Sequence, residues 1–188
     1  MDIAAIVEER GRVAGDLVLV DDFLNHRVDP VIIDDIGRQI AEHFADLKPD
    51  LIVTAEASGI PPAMATARYL PLPVVYAKKY HSIGERDTFV REVHSPTKGV
   101  EYRIEVARRA LESGGRAVII DDFLAGGRTA QSLGQIVEEA GCDIVGYAFV
   151  IEKQFAGGRD VLESNGWDVW SLVEIAGIAD GKPVIATR

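Results

Sequence analysis

The sequence predicts an α/β fold: three layers, with a mainly parallel central sheet between helices. Three observations lead there. Short apolar runs recur at Leu51–Ala55 (apolar apart from Thr54), Pro73–Ala77, Ala117–Ile120 and Ile144–Ile151, as strands buried on both faces require. Stretches with helical spacing separate most of them. Several runs end in small, polar or charged residues, which is where ligands bind in such sheets.

Taken in order, Ile3–Arg10 reads as a short helix with Ile3, Ile6 and Val7 on one side. Leu17–Val20 is a brief apolar run ending at Asp21–Asp22. Asp29–Pro30 starts a helix, because proline suits a first helical position. Ile32, Ile33, Ile36, Ile40 and Phe44 then repeat every three or four residues. After the strand Leu51–Ala55 comes the loop Glu56–Ile60, and Pro61–Pro62 opens a helix to about Tyr69. The strand Pro73–Ala77 is expected to end before Lys78–Lys79, leaving Lys78–His81 as a loop. Tyr80–Val100 has weak periodicity and reads either as a mobile loop or as a β-hairpin, with Glu101–Val106 a returning strand. Ala130, Leu133, Ile136, Val137 and Ala140 make a helix closed by Gly141. Trp167–Leu172 is expected to be the last strand of the sheet, with a short extension at Pro183–Ala186.

The 188 residues form most simply one domain, with 47% apolar and 27% charged residues. The net charge of -10 opposes non-specific nucleic-acid binding. No apolar run approaches the roughly 20 residues of a membrane helix, and the acidic N-terminal stretch is unlike a signal peptide. A cytoplasmic location is the expectation. The single cysteine, Cys142, is read as a small buried apolar residue. His26, His43, His81 and His94 have no metal-ligand spacing, and no Ser-His-Asp set is evident, so no protein-held metal site is expected.

The stretch that carries chemistry is Ala117–Ala130, AVIIDDFLAGGRTA. It places two carboxylates and free backbone N–H groups at one end of a sheet, which suits a sugar phosphate. No P-loop and no dinucleotide-binding glycine fingerprint is present. A receiver domain is disfavoured, because its phospho-acceptor aspartate would fall near Ala55. A partial echo links Leu19–Leu24, LVDDFL, to Ile119–Leu124, IIDDFL, but only the second copy continues into small residues.

Ala117–Ala130 resembles the phosphoribosyl-pyrophosphate (PRPP) motif of type I phosphoribosyltransferases. VDDFLNHRVDP at Val20–Pro30, EASGIPPAM at Glu56–Met64 and VIEKQFAGGRD at Val150–Asp160 accompany it in order. Together they resemble the xanthine-using members of that family over nearly the full length. The resemblance implies a type I phosphoribosyltransferase fold with a flexible hood over about 80–100 and a small base-binding part drawn from about 17–30 and 150–188. It implies PRPP and a 6-oxopurine base as substrates, Mg2+ bound mainly through the PRPP pyrophosphate, and a homodimer. Guanine or hypoxanthine as the base, or a non-catalytic PRPP-sensing regulator, are the competing readings; a regulator lacks room before Leu17 for a DNA-binding module.

The residue roles follow from the same resemblance. Asp121 and Asp122 face the ribose and support a cationic, sugar-like transition state. Ala125, Gly126, Gly127, Arg128 and Thr129 wrap the 5′-phosphate. Gly126 stands where many relatives carry a larger polar residue. Ala57, Ser58 and Gly59 form the pyrophosphate loop, and Lys78 and Lys79 neutralise pyrophosphate, across a dimer interface in relatives. The base pocket is assigned to Val18, Asn25 and Lys153. A lysine only donates hydrogen bonds, so Lys153 suits an oxopurine O6 and opposes the amino group of adenine. Phe123 or Phe155 is available to cover a purine face.

Overall fold

The computed structural model describes all residues except 16, 81–86, 96–99 and 187–188. The strands are β1 (Arg12–Ala14), β2 (Leu17–Leu19), β3 (Leu51–Ala55), β4 (Val74–Tyr80), β5 (Thr88–Ser95), β6 (Val100–Ala107), β7 (Arg116–Leu124), β8 (Asp143–Lys153), β9 (Val169–Ala179) and β10 (Lys182–Ile185). The helices are α1 (Ile3–Arg10), α2 (Pro30–Phe44), α3 (Ile60–Ala67), α4 (Arg128–Glu139) and α5 (Gly158–Glu163).

Among the described residues the main sheet has the order β10-β9-β8-β7-β3-β4-β6-β5. Its centre, from β9 to β4, is parallel. Antiparallel pairs close both edges: β9 with β10, and β4 with the β5–β6 hairpin. Both faces are covered, as a parallel sheet demands. On one face Val53, Ile119, Phe149 and Val106 pack with Leu133, Ile136 and Val137 of α4. On the other, Ile52, Val118, Ile120 and Val150 pack with Ile32, Ile36 and Ile40 of α2, Val7 of α1 and the β2 residue Val18.

The chain leaves β3 toward β4 on one side, then returns to β7 on the other side of β3. Strand order therefore reverses between β3 and β7, and a crevice opens at their carboxyl ends. The loops after these two strands are Glu56–Gly59 and Ala125–Gly127.

Four expectations are corrected. Strand β7 does not stop at Ile120; it carries Asp121 and Asp122 inside the ladder because β8 also runs on, pairing Asp121 with Phe149 and Leu124 with Glu152. Lys78–Tyr80 is strand rather than loop, because β6 supplies partners: Lys78 pairs with Glu105 and Lys79 with Ile104. Trp167 precedes its strand, and β10 rather than β9 forms the edge of the sheet. The hairpin β1–β2 was not foreseen; it is too short to leave a pattern. Of the two readings of 80–100, the hairpin holds for β5 and β6, while the expected loop residue His81 and the rest of 81–86 and 96–99 lie outside the described residues. Cys142 is buried, with its Sγ 3.1 Å from the carbonyl of Glu112. His43 is structural, stacked on Trp170 at 4.5 Å between ring centroids.

Candidate active site

The two copies of the DDFL pattern fold differently. In the first, the residues after β2 turn back on themselves: the Leu24 N–H donates to Val20 O and the Asp29 N–H to Phe23 O. Its acids are tied to arginines, Asp21 to Arg12 at 2.8 Å and Asp22 to Arg10 at 3.3 Å. The Arg12 guanidinium holds the Asp21 carboxyl below its ordinary value. In the second copy the chain stays extended, and Asp121 Oδ1 accepts the backbone N–H of Asp122 at 2.9 Å.

Asp122 is buried at 7% exposure. Alternation along β7 places Val118 and Ile120 in one core and Ile119 in the other, yet Phe123 packs with the first core and Leu124 with the second. The strand thus changes phase at the two acids. Asp121 is pressed against the β3 loop: a Cβ built on Gly59 would fall inside contact distance of Thr54 Oγ1 and 2.5 Å from Asp121 Oδ1. Burial, then the charge of Asp122, pushes the Asp121 carboxyl well above its ordinary value of 3.8, opposed by the Asp122 N–H it accepts and, to a smaller extent, by the charge of Lys79.

The sign of the consequence follows. A carboxyl that holds its proton more tightly when folded stabilises the fold below its ordinary value, and that contribution is lost as pH rises toward the folded value. At neutral pH an ionised Asp121 therefore costs stability in the unliganded enzyme. Asp121→Asn should melt higher than wild type near pH 7, with the gain gone near pH 4, as followed by circular dichroism. A gain that persists at pH 4, or none at pH 7, would contradict the assigned environment.

Two helix N-termini open on this crevice, and neither has a side-chain cap. Helix α3 starts at Gly59 and α4 at Gly127, which has φ +73°. Helices α1 and α2, by contrast, are capped by the Asp2 and Asp29 carboxylates. The first-turn N–H groups of α4, at the end of β7, form an anion site of the kind phosphates use. The first turn of α3 offers none, because Pro61 and Pro62 lack an N–H and those of Ile60 and Ala63 donate to Ala57 O and Gly59 O; an anion at the end of β3 would meet the turn Ala57–Gly59 instead. Ala57 and Ser58 lie in the turn before Gly59, after a cis Glu56–Ala57 peptide. Ala125, Gly126 and Arg128 are exposed beside buried Gly127, and Thr129 is half-buried in the first turn of α4.

The lysines separate. The Lys79 N–H donates to Glu56 Oε1 at 2.6 Å, and its ammonium lies 5.7 Å from the centre of the Tyr102 ring. The Tyr102 hydroxyl is 2.7 Å from Thr129 Oγ1. Strand alternation sends Lys78 to the opposite side, where it lines a cavity of about 340 Å³ with Tyr76, Tyr80 and Glu105. It is not brought to Asp121 within this chain.

The base-side residues are placed around the second core. Lys153 ends β8 at 9% exposure, its Nζ 5.7 Å from the centre of the Phe123 ring. Phe155 is 50% exposed, so Phe123 is the aromatic beside the lysine. Asn25 lies in the turn after β2, and its Oδ1 is buried without a hydrogen-bond partner. Its neighbours Phe23 and Leu24 pack in the same cluster as Ile151 and Phe123. Val18 is buried in that cluster, paired with Val13 across the β1–β2 hairpin. Sequence reasoning missed Glu56, Tyr102 and Gly158. The first two are placed by strand register, which leaves no local signal; Gly158 had one, in the repeated AGGR of Ala125–Arg128 and Ala156–Arg159.

A model of the phosphoribosyl transferase domain matches residues 28–175. Curated xanthine phosphoribosyltransferases are similar over most of their length. That of Chloroflexus aurantiacus is 44% identical over 97% of this chain and 87% of its own. That of an Exiguobacterium species is 47% identical over 90% and 89%. The chain belongs to the phosphoribosyltransferase family. Among solved structures, adenine phosphoribosyltransferase from Thermoanaerobacter pseudethanolicus matches with a TM-score of 0.77 at 24% identity, covering 91% of this chain and 99% of that one. At that identity the likeness shows the shared fold. The protein is therefore an α/β phosphoribosyltransferase, and the expected fold class and family hold.

Proposed function

We propose that this enzyme transfers the phosphoribosyl group of PRPP to xanthine, giving xanthosine 5′-monophosphate and pyrophosphate. The observation that carries the transfer chemistry is the pair Asp121–Asp122 lying between the Ala57–Gly59 turn and the uncapped N-terminus of α4 at the strand-order reversal. The choice of xanthine rests on the relatives that carry that name and on Lys153 beside Phe123.

In this reading the 5′-phosphate sits on Ala125–Thr129 and the pyrophosphate on Ala57–Gly59 near Lys79. The bond from C1 of the ribose to pyrophosphate breaks as a ring nitrogen of the base bonds to C1, and that nitrogen gives up its proton. Positive charge grows on the sugar between those events. Asp121 and Asp122 supply fixed negative charge there, in a partly buried place where it acts strongly. The raised affinity of Asp121 for a proton suits a site built to meet a cation. Mg2+ enters as the counter-ion of PRPP. Among the described residues no group of three or more His, Cys, Asp or Glu side chains could hold a metal, whereas Mg2+ needs only one or two carboxylates when phosphates supply the rest. Asp121, pressed against the Ala57–Gly59 turn, would be the carboxylate that fits that demand, leaving Asp122 to the sugar.

The chain is read as one domain, with a hood from about 80–100 and base-binding parts at about 17–30 and 150–188. A homodimer is supported by the outer face of β4 and α3, where Tyr76, Tyr69 and Met64 are exposed and Lys78 points away from its own site. A cytoplasmic location fits the absence, among the described residues, of a helix long and apolar enough to cross a membrane.

The test offers xanthine, guanine, hypoxanthine and adenine in parallel with Mg2+ and PRPP. Xanthine should turn over best and adenine worst. Lys153→Leu should lower kcat/KM for xanthine about 10–100-fold, the scale of a lost charge-assisted hydrogen bond, with little change in PRPP affinity. No turnover with any base defeats the enzyme reading, and a preference for guanine or hypoxanthine moves the substrate to the competing oxopurines.

A further inference from the structure

The turn between β8 and α5 joins the two halves of the proposed site. It runs from Lys153, next to the base, to Gly158, which underlies the phosphate loop. A Cβ built on Gly158 would collide with the Ala125 carbonyl and lie 2.7 Å from Leu124 Cδ1 and 2.9 Å from the Gly127 nitrogen. One backbone thus rests directly on the other.

This turn is clamped at both ends by one ion pair. Glu152, immediately before Lys153, is 1% exposed. Arg159, immediately after Gly158, reaches it with two hydrogen bonds: Nε donates to Oε1 at 2.9 Å and Nη2 to Oε2 at 2.5 Å. Ser171 of β9 also donates to Glu152 Oε2 at 2.5 Å. Arg159 Nη1 donates to Val169 O at 2.8 Å, anchoring the clamp to β9. Glu152 lies in register with Leu124 on one side and Glu174 on the other. Contact with Glu152 raises the Arg159 guanidinium above its ordinary value.

Stability alone is a poor account of such a pair. Buried ion pairs contribute little net stability, and apolar side chains of similar volume often do as well. A bidentate guanidinium–carboxylate pair does fix geometry, because two parallel hydrogen bonds set both distance and plane. Here that geometry belongs to a six-residue turn with the base lysine at one end and the support of the phosphate loop at the other.

We propose that Glu152 and Arg159 are positioning residues that hold Lys153 and the Ala125–Thr129 loop in one fixed relation, so that the base and PRPP sites depend on a single clamp. The proposal rests on the assignment of both sites above. Its first consequence is that damage to the clamp weakens both substrates together. Its second is that filling the same space with apolar groups restores the fold without restoring the sites.

The experiment compares wild type, Glu152→Gln and the double variant Glu152→Met with Arg159→Met. PRPP affinity is read by calorimetry with Mg2+ and no base, xanthine KM and kcat by steady-state kinetics, and stability by thermal melting. Glu152→Gln should weaken PRPP binding and raise the xanthine KM each by about tenfold, a 1.4 kcal/mol change apiece. The double variant should melt near or above wild type and keep both defects. The proposal is overturned if either variant, folded, retains wild-type values for both substrates, or if only one substrate is affected. A fall in melting temperature alone also overturns it. Wild-type protein that binds no PRPP defeats the site assignment and this proposal together, whereas normal wild-type binding with unaffected variants defeats only the clamp.

Discussion

Asp122→Asn should reduce kcat by about 10²–10³-fold, the cost of removing one group aimed at charge that develops in a transition state. Asparagine has nearly the same shape, so the substitution deletes charge and little else. Asp122 is 7% exposed, inside a strand whose backbone is paired through the acids. The N–H that it donates to Asp121 Oδ1 is main-chain and survives the change. The fold should therefore melt at or slightly above wild type, since a charge that raises the Asp121 carboxyl is removed. PRPP affinity, measured without a base, should change far less than kcat, because the ground-state sugar is neutral. Steady-state kinetics and calorimetry on the same preparation separate these quantities. Unchanged turnover would remove Asp122 from the chemistry, and an equal loss of binding and kcat would make it a ground-state contact.

Gly59→Ala should be a damaging change for the addition of a single methyl group near the site. The new carbon meets three neighbours: Thr54 Oγ1, Asp121 Oδ1 at 2.5 Å and the Ala55 carbonyl at 3.0 Å. Thr54 is fully buried, and Ala55 is backbone in the middle of the sheet, so neither yields easily. The chain must shift at the start of α3 or push the Asp121 carboxylate aside. Overpacking of this kind costs about 1–3 kcal/mol. Turnover should fall further than stability, by about 10²-fold, as expected for ångström-scale misplacement of catalytic groups. Gly177→Ala is the matched control: its Cβ would enter open space, and its urea midpoint should stay near that of wild type. Gly59→Ala with normal turnover would show that Asp121 tolerates displacement and is not held for catalysis.

Much of the fold was legible because each signal was local. Helix α2 shows its apolar face in Ile32, Ile36, Ile40 and Phe44, and its start in Asp29–Pro30. The central strands are uninterrupted apolar runs because helices cover both faces of the sheet. Strand ends were misjudged where polar residues still had ladder partners. Asp121 and Asp122 read as the end of a strand, yet β8 continues alongside them. Lys78 and Lys79 read as a loop, yet β6 pairs with them. A ladder is a property of two segments, and one segment alone does not report it.

By itself the sequence determined the family and the enzyme class, through motifs that resemble known members, and it marked Ala117–Ala130 as the stretch proposed to carry the chemistry, because acids, glycines and a helix start there lie within a few covalent bonds of one another. Tertiary structure decided what faces what. It sent Lys79 toward Tyr102 and Lys78 to the opposite side of the strand. It answered Asp21 and Asp22 with arginines, while it set Asp121 against Gly59 and raised its affinity for a proton. It also seated Gly158 beneath the phosphate loop and clamped the turn between Glu152 and Arg159. The reason is physical: charge, burial and contact depend on distances through space, and residues such as Gly59 and Asp121, 62 positions apart by their numbers, meet only when the sheet brings β3 beside β7.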